Sequence, residues 1–155
     1  MRTEIFAGLE PHRKADEAIL GFLKLLLGLD QVTWAGSAAA PMPLEVAKFM
    51  AGLGLKVYDV YGMTETCGAV TANGPAGFRL GKVGRPTPGV EVKLADDGEV
   101  LVRGPVITPG YHKQEEATRA LIDEDGWVHS GDIGTLDEDG FFAIVDRKKE
   151  LIITS

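Results

Sequence analysis

Residues 58–65 (Tyr-Asp-Val-Tyr-Gly-Met-Thr-Glu) bring together residue types that nucleotide chemistry needs. A tyrosine ring can stack on a base, glycine lets the backbone approach a ligand closely, and a glutamate offers the hard oxygen that Mg²⁺ prefers. Residues 56–60 predict a strand, and ligands of open α/β sheets bind beyond the carboxyl ends of strands. Taken alone, the segment equally fits a strand followed by a capped turn, with Thr64 as N-cap and Glu65 as a first-turn acid.

The elements before this segment predict a parallel α/β layer. Proline at position 43 can open the second of two helices, and glycines end both. A strand, a helix and a strand in succession are typical of parallel pairing. The predicted elements are a helix over 13–28, a strand over 31–35, a small-residue loop over 36–40, a helix over 44–53 and the strand over 56–60.

The second half of the chain reads as β-rich. Residues 90–94 and 99–102 alternate in period two around an Asp-Asp-Gly turn, which predicts a hairpin. A short helix is predicted over 115–123 and strands over 127–146. We therefore divide the chain into an α/β part (1–75), a β-rich part (80–147) and a last segment (148–155).

Composition excludes some classes of function. The net charge of −7 in 155 residues argues against a nucleic-acid partner. Cys67 is the only cysteine, so neither an internal disulfide nor a cysteine-based zinc site can form, and we interpret it as a packing residue. Trp34 and Trp127 are interpreted as core anchors. We expect no transmembrane segment, no signal peptide and a cytoplasmic location, free or peripheral to a membrane.

Ordered blocks along residues 35–155 resemble the adenylate-forming superfamily, and within it the AMP-forming acyl-CoA synthetases of the long-chain fatty-acid–CoA ligase type. Several blocks in order are far more specific than any one of them. The blocks are Gly-Ser-Ala-Ala-Ala-Pro-Met (36–42), Tyr-Gly-Met-Thr-Glu (61–65), Gly-Glu-Val-Leu-Val-Arg-Gly (98–104) with Gly-Tyr (110–111), His-Ser-Gly-Asp (129–132) and Val-Asp-Arg-Lys-Lys-Glu-Leu-Ile (145–152).

This resemblance implies a fold and a reaction. The fold would be a partial parallel α/β layer followed by a small, distorted, antiparallel barrel-like subdomain, as in the large domain of that family. The reaction would activate a fatty acid or related carboxylic acid with ATP and Mg²⁺, giving acyl-AMP and pyrophosphate. Coenzyme A would then take the acyl group and release AMP.

The resemblance also assigns roles around the nucleotide. Tyr61 would stack on adenine with Gly62 beside it, and Asp59 would bind the adenine amino group. The adenine-wall loop would comprise Gly36, Ser37 and Ala38, where Ala38 departs from the glycine that relatives often carry.

The remaining roles concern the ribose, the phosphates and a hinge. Thr64 would donate to the α-phosphate or the substrate carboxylate, and Glu65 would hold magnesium. Asp132 and Arg147 would bind the ribose hydroxyls, and Lys149 would be the hinge before the small C-terminal domain. On residue type alone, Asp132 also fits a turn cap, and residues 147–149 also fit a solvated basic edge.

Parts of the family pattern are missing from the chain. Residues 1–30 hold no Ser/Thr/Gly-rich phosphate loop, and the domain carrying the adenylation lysine would follow residue 155. We therefore expect an internal fragment that is inactive alone. The alternatives are a non-catalytic remnant that binds AMP or ATP, and a structural half that assembles with a separately encoded partner.

Overall fold

The computed structural model describes residues 13–148, so the predicted hinge Lys149 and the rest of the last segment lie outside the described residues. This part of the chain forms three α-helices and eight strands. The helices are α1 (Arg13–Leu26), α2 (Leu44–Gly52) and α3 (Glu115–Leu121). The strands are β1 (Ala35–Ser37), β2 (Val57–Met63), β3 (Gly68–Ala72), β4 (Arg85–Pro86), β5 (Glu91–Leu94), β6 (Glu99–Arg103), β7 (Val128–Leu136) and β8 (Phe142–Arg147).

The first sheet is mixed and has the strand order β1-β2-β3-β4. β1 and β2 are parallel and are connected through α2, which confirms the predicted strand, helix and strand unit. β3 returns antiparallel to β2, and β2 continues through Tyr61 and Gly62 to Met63. The motif predicted to follow the strand is therefore largely part of it.

The first strand lies later in the sequence than predicted. The sequence favoured residues 31–35, whereas β1 comprises Ala35–Ser37, so those predicted bounds are wrong. The Trp34 ring folds over Gly36, where an added Cβ would lie 2.3 Å from the indole. A small residue at position 36 therefore lets the strand pass beneath the ring, and the expected loop begins only at residue 38.

The second sheet is a curled antiparallel half-barrel with the strand order β5-β6-β7-β8. β5 and β6 form the predicted hairpin. A valine cluster fills the core between the sheets, comprising Val70, Val90, Val100 and Val102. The sheets also meet through backbone, since Phe142 N donates to Gly84 O at 2.8 Å. The α/β layer followed by a barrel-like subdomain is thus confirmed, while the domain limits 1–75 and 80–147 stay predictions.

β7 bulges where it faces β6. Glu99 and Leu101 on β6 are two positions apart, whereas their partners on β7, Ile133 and His129, are four positions apart. Gly131 lies within this bulge at φ +72°, a left-handed conformation that favours glycine. The bulge takes the intervening segment out of the regular ladder with β6, and Asp132 belongs to that segment while keeping its pairing with Arg147 on β8.

Several side chains differ in burial from the sequence expectation. Trp127 is 8% exposed, which confirms it as a core residue. Trp34 is 63% exposed and Cys67 is exposed, so the packing roles predicted for both are wrong. Trp34 lies in the connection just before β1, and Cys67 follows the Thr64–Thr66 turn with φ +53°. Within residues 13–148, no helix is long and apolar enough to cross a bilayer.

Candidate functional site

The end of β2 is shaped by a close backbone approach at Gly62. A Cβ added to Gly62 would lie 1.8 Å from the carbonyl oxygen of Gly68, so only glycine fits. The turn between them, Thr64–Thr66, is a single turn of 3₁₀ helix. Thr66 is buried; its hydroxyl accepts from Met63 N at 3.0 Å and lies 2.8 Å from Gly68 O, to which it can donate. Sequence reasoning missed Thr66, although its hydroxyl follows the predicted motif directly.

Tyr61, Asp132 and Arg147 form a hydrogen-bonded chain between the two sheets. The Tyr61 hydroxyl donates to Asp132 Oδ2 at 2.8 Å, and Arg147 Nε donates to Asp132 Oδ1 at 3.1 Å. Asp132 is buried, whereas the Arg147 side chain is 68% exposed. Asp132 and Arg147 are cross-strand partners on β7 and β8, which fixes their spacing.

Burial raises the pKa of the Tyr61 hydroxyl well above its usual range. The Ser130 side chain opposes this rise, and the Asp132 carboxylate adds to it because that carboxylate favours the protonated phenol. Tyr61 therefore stays a hydrogen-bond donor to Asp132 throughout the physiological pH range. The Asp132 backbone N–H also donates to Ser130 Oγ at 3.1 Å, which anchors the bulge that carries Asp132.

The parallel pairing of β1 with β2 places Ser37 opposite Asp59. Burial raises the pKa of the Asp59 carboxyl, and the Ser37 hydroxyl counteracts that rise. Ala38 and Ala39 follow β1, and Ala39 has φ +72°. The chain therefore turns sharply after Ser37, as a wall loop beside Asp59 requires.

Glu65 connects the first sheet to the loop after β6. The Tyr111 hydroxyl donates to Glu65 Oε1 at 2.6 Å, and Thr108 N donates to Glu65 O at 2.8 Å. The hydrogen bond to the Glu65 carboxylate raises the pKa of Tyr111. Sequence reasoning assigned no role to Tyr111, and its place in the matched Gly-Tyr pair was the only available signal.

Two adjoining cavities surround these residues. One, of about 540 Å³, is bordered by Asp59, Tyr61, Asp132 and Arg147. The other, of about 820 Å³, is bordered by Ala38, Thr64, Glu65 and Arg147 and by the small residues Gly68 and Ala69. Gly62 borders both cavities. The predicted nucleotide and metal residues thus gather around one cleft, except Gly36 and Ser37, which lie in β1 and border neither cavity.

The cleft suits a magnesium ion that arrives with phosphates. Among residues 13–148, no group of three or more His, Cys, Asp or Glu side chains could hold a metal by itself. Mg²⁺ usually keeps several waters and binds through one or two carboxylates plus substrate phosphates. The single carboxylate of Glu65 at the larger cavity fits that requirement.

Known structures share this fold. ATP-bound MatB from Rhodopseudomonas palustris superimposes with a TM-score of 0.74 at 28% identity, over 90% of this chain and 34% of that one. The O-succinylbenzoate coenzyme A synthetase of Bacillus subtilis, in complex with ATP and magnesium, gives 0.69 at 27% identity, over 97% and 36%. The fold is therefore that of part of an adenylate-forming enzyme.

The AMP-binding enzyme family matches residues 4–112, and this chain belongs to that family. It is 47% identical over 142 residues to a putative fatty-acid–CoA ligase, fadD11, of Mycobacterium tuberculosis, covering 92% of this chain and 25% of that protein. It is 40% identical over 148 residues to the human long-chain-fatty-acid–CoA ligase ACSBG1, covering 92% and 20%. The chain thus spans between a fifth and a quarter of the length of these curated relatives.

Proposed function

We propose that this chain is part of a fatty-acid–CoA ligase and supplies most of the AMP-binding surface of that enzyme. The observation that carries the proposal is the Tyr61, Asp132 and Arg147 chain, which borders the smaller cavity, while Arg147 also borders the larger one. The names of the curated relatives support the fatty acid and coenzyme A as substrates. The solved structures that hold ATP or AMP support the nucleotide.

In this proposal the smaller cavity takes adenosine. The Tyr61 ring offers a face to adenine, and the Asp59 carboxylate accepts from the adenine amino group. Asp132 accepts from the ribose hydroxyls because a carboxylate has two acceptor oxygens, and Arg147 adds donors beside it.

The larger cavity takes the reacting groups. Thr64 donates to the α-phosphate or to the fatty-acid carboxylate, and Glu65 holds the magnesium ion. That ion would neutralise phosphate charge as the carboxylate attacks the α-phosphorus and pyrophosphate leaves. Gly68 and Ala69 leave room for the start of the acyl chain, and the coenzyme A thiol would then attack the acyl carbon.

We expect the isolated chain to bind AMP without forming acyl-AMP, because stabilising the transferring phosphate depends on several positive groups. Among the described residues that border the larger cavity, Arg147 is the only cationic side chain. The test incubates purified chain with ATP, Mg²⁺ and a fatty acid and measures pyrophosphate release, with Glu65→Ala as the control. Release at the level of that control, together with saturable AMP binding that GMP does not share, supports the proposal. Equal binding of AMP and GMP contradicts the adenine assignment, and release well above the control contradicts inactivity.

A second candidate role, assembly with a complementary chain, is favoured by one observation. The described part of α1 exposes a face of large apolar side chains: Ile19, Phe22, Leu23, Leu25 and Leu26. Exposed apolar patches of this kind mark interaction sites. The face would pack against the remainder of the large domain, supplied by a separate chain that also carries the phosphate loop.

The test of assembly mixes this chain with the preceding segment of a fatty-acid–CoA ligase and measures the mass of the complex by sedimentation. Phe22→Glu should abolish a complex, whereas Leu136→Glu on the second sheet should leave it intact. A complex that survives Phe22→Glu would show that α1 is not the contact surface.

A further inference from the structure

Glu99 is a buried carboxylate that borders neither cavity of the site. It lies at the start of β6, facing the bulge of β7. Three donors reach it. Gly131 N donates to Oε1 at 2.9 Å, and Lys148 Nζ at 3.0 Å and His129 Nδ1 at 3.1 Å both reach Oε2. A carboxylate only accepts, so the three contacts use the capacity that distinguishes it from an amide.

These contacts hold both strands that carry Asp132 and Arg147. Gly131 precedes Asp132 in the bulge, and Lys148 follows Arg147 at the end of β8. Lys148 N also donates to Gly131 O at 2.8 Å, so these two partners of Glu99 are hydrogen-bonded to each other as well. Lys148 Nζ also forms an ion pair with Asp97 Oδ2 at 2.6 Å.

The bulge needs such a partner. Residues inside a bulge leave the strand ladder, so their backbone groups must find other partners or remain unsatisfied. The Glu99 carboxylate supplies an acceptor for Gly131 N in a segment held at φ +72°. Without that acceptor the bulge loses the contact that orients the residue before Asp132.

We propose that Glu99 is a positioning residue for the ribose: its carboxylate holds the Gly131 bulge and the Lys148 end of β8, so that Asp132 and Arg147 face the ribose hydroxyls together. This inference rests on the proposed AMP site. Glu99 itself touches no ligand. Its effect should therefore appear only with nucleotides that carry the hydroxyls.

The experiment is a ligand and variant cycle on the full chain. Calorimetry measures the affinity of AMP and of 2′,3′-dideoxy-AMP for the unaltered chain, for Glu99→Gln and for Glu91→Gln. Glu91 is an exposed glutamate of the neighbouring strand that pairs with Arg103, so its variant is a matched control. We expect Glu99→Gln to lose about tenfold in AMP affinity, by analogy with residues that orient metal ligands. Its affinity for the dideoxy nucleotide should stay unchanged, as should both affinities of Glu91→Gln.

The outcomes distinguish a failure of the role given to Glu99 from a failure of the proposed AMP site. If the unaltered chain prefers AMP over the dideoxy nucleotide and Glu99→Gln keeps that preference, the inference is overturned while the AMP site stands. An equal loss of affinity for both nucleotides in Glu99→Gln also overturns the inference, because it indicates general damage to the fold. If the unaltered chain binds neither nucleotide, the proposed function itself fails.

A second variant covers the case in which Glu99→Gln does not fold. Lys148→Gln removes one of the three donors from a partly exposed position, and Lys113→Gln at an exposed site is its control. Lys148→Gln should lower the ratio of AMP affinity to dideoxy-AMP affinity by a few fold, and Lys113→Gln should leave that ratio unchanged. A full preference retained by Lys148→Gln overturns the inference.

Discussion

The Tyr61 hydroxyl donates a 2.8 Å hydrogen bond to Asp132 Oδ2, although the two residues are 71 positions apart. Tyr61 belongs to the first sheet and Asp132 to the second, so the bond closes the cleft between the sheets. The other oxygen of Asp132 is held by Arg147. The Asp132 carboxylate is therefore already oriented for a ligand that binds beside the Tyr61 ring.

Tyr61→Phe should weaken both the fold and the site. The variant keeps the ring but removes the donor to a buried carboxylate, and hydrogen bonds to charged groups contribute about 1.5–3 kcal/mol. We expect the free energy of unfolding to fall by about that amount and AMP affinity to fall several-fold. Denaturant unfolding and calorimetry measure the two effects. Tyr58→Phe, on the same strand, is the control, and a similar loss there would remove the special role of Asp132.

Gly62→Ala should be strongly destabilising. An added Cβ would lie 1.8 Å from Gly68 O, so backbone must move, and overpacking of this kind costs typically about 1–3 kcal/mol. Gly74→Ala is the matched control, because a Cβ there meets nothing within 4 Å. Urea titration of both variants measures the difference. Equal midpoints would show that β2 and β3 can separate without cost.

The sequence allowed the α/β unit, the hairpin and the residues that border the cleft to be predicted. Periodicity indicated the elements, and ordered motifs indicated the ligand, because both signals are local. The β7 bulge could not be predicted, because it depends on the pairing of Glu99 and Leu101 with residues about thirty positions away. Tyr111 was missed for the same reason, since its partner Glu65 lies 46 positions away in the sequence. Thr66 was missed although its partners are local, because nothing in the residue types alone showed that its hydroxyl bonds to the backbone of Met63 and Gly68.

Tyr111→Phe should reduce binding of MgATP more than binding of AMP. The Tyr111 hydroxyl holds Oε1 of Glu65 at 2.6 Å, and Glu65 is the proposed magnesium ligand. Loss of the hydroxyl should let the carboxylate rotate, with a cost of about tenfold in MgATP affinity by analogy with other groups that orient metal ligands. Competition binding with AMP as the internal reference measures this. A parallel loss of both nucleotides would mean that Tyr111 supports the loop rather than the metal ligand.

Acid stability should depend on Glu99. Burial raises the pKa of its carboxyl, but hydrogen bonds from His129, Lys148 and Gly131 outweigh that effect and hold the pKa below its usual range. A carboxyl with a lowered folded-state pKa contributes stability above its unfolded pKa of about 4.3. That contribution is lost as the pH falls from there through the folded-state value.

Glu99→Gln should therefore flatten the fall of unfolding free energy below about pH 4.3, compared with the unaltered chain. Denaturant titrations at several acid pH values measure the slope, and Glu91→Gln corrects for an exposed glutamate whose pKa is also lowered, by Arg103. An unchanged slope in Glu99→Gln relative to Glu91→Gln would contradict the importance of the buried contacts.

The most direct test of the nucleotide site is a calorimetric titration of the purified chain with AMP, alongside Asp132→Asn and Asp96→Asn. Asp96 is an exposed residue of the β5–β6 turn, so its variant makes the same change in charge away from the cleft. We predict saturable AMP binding that Asp96→Asn retains and Asp132→Asn weakens by about tenfold or more, because a charged acceptor of the ribose hydroxyls is lost. A folded chain that binds no AMP, or an Asp132→Asn variant that binds as tightly as the unaltered chain, would contradict the account.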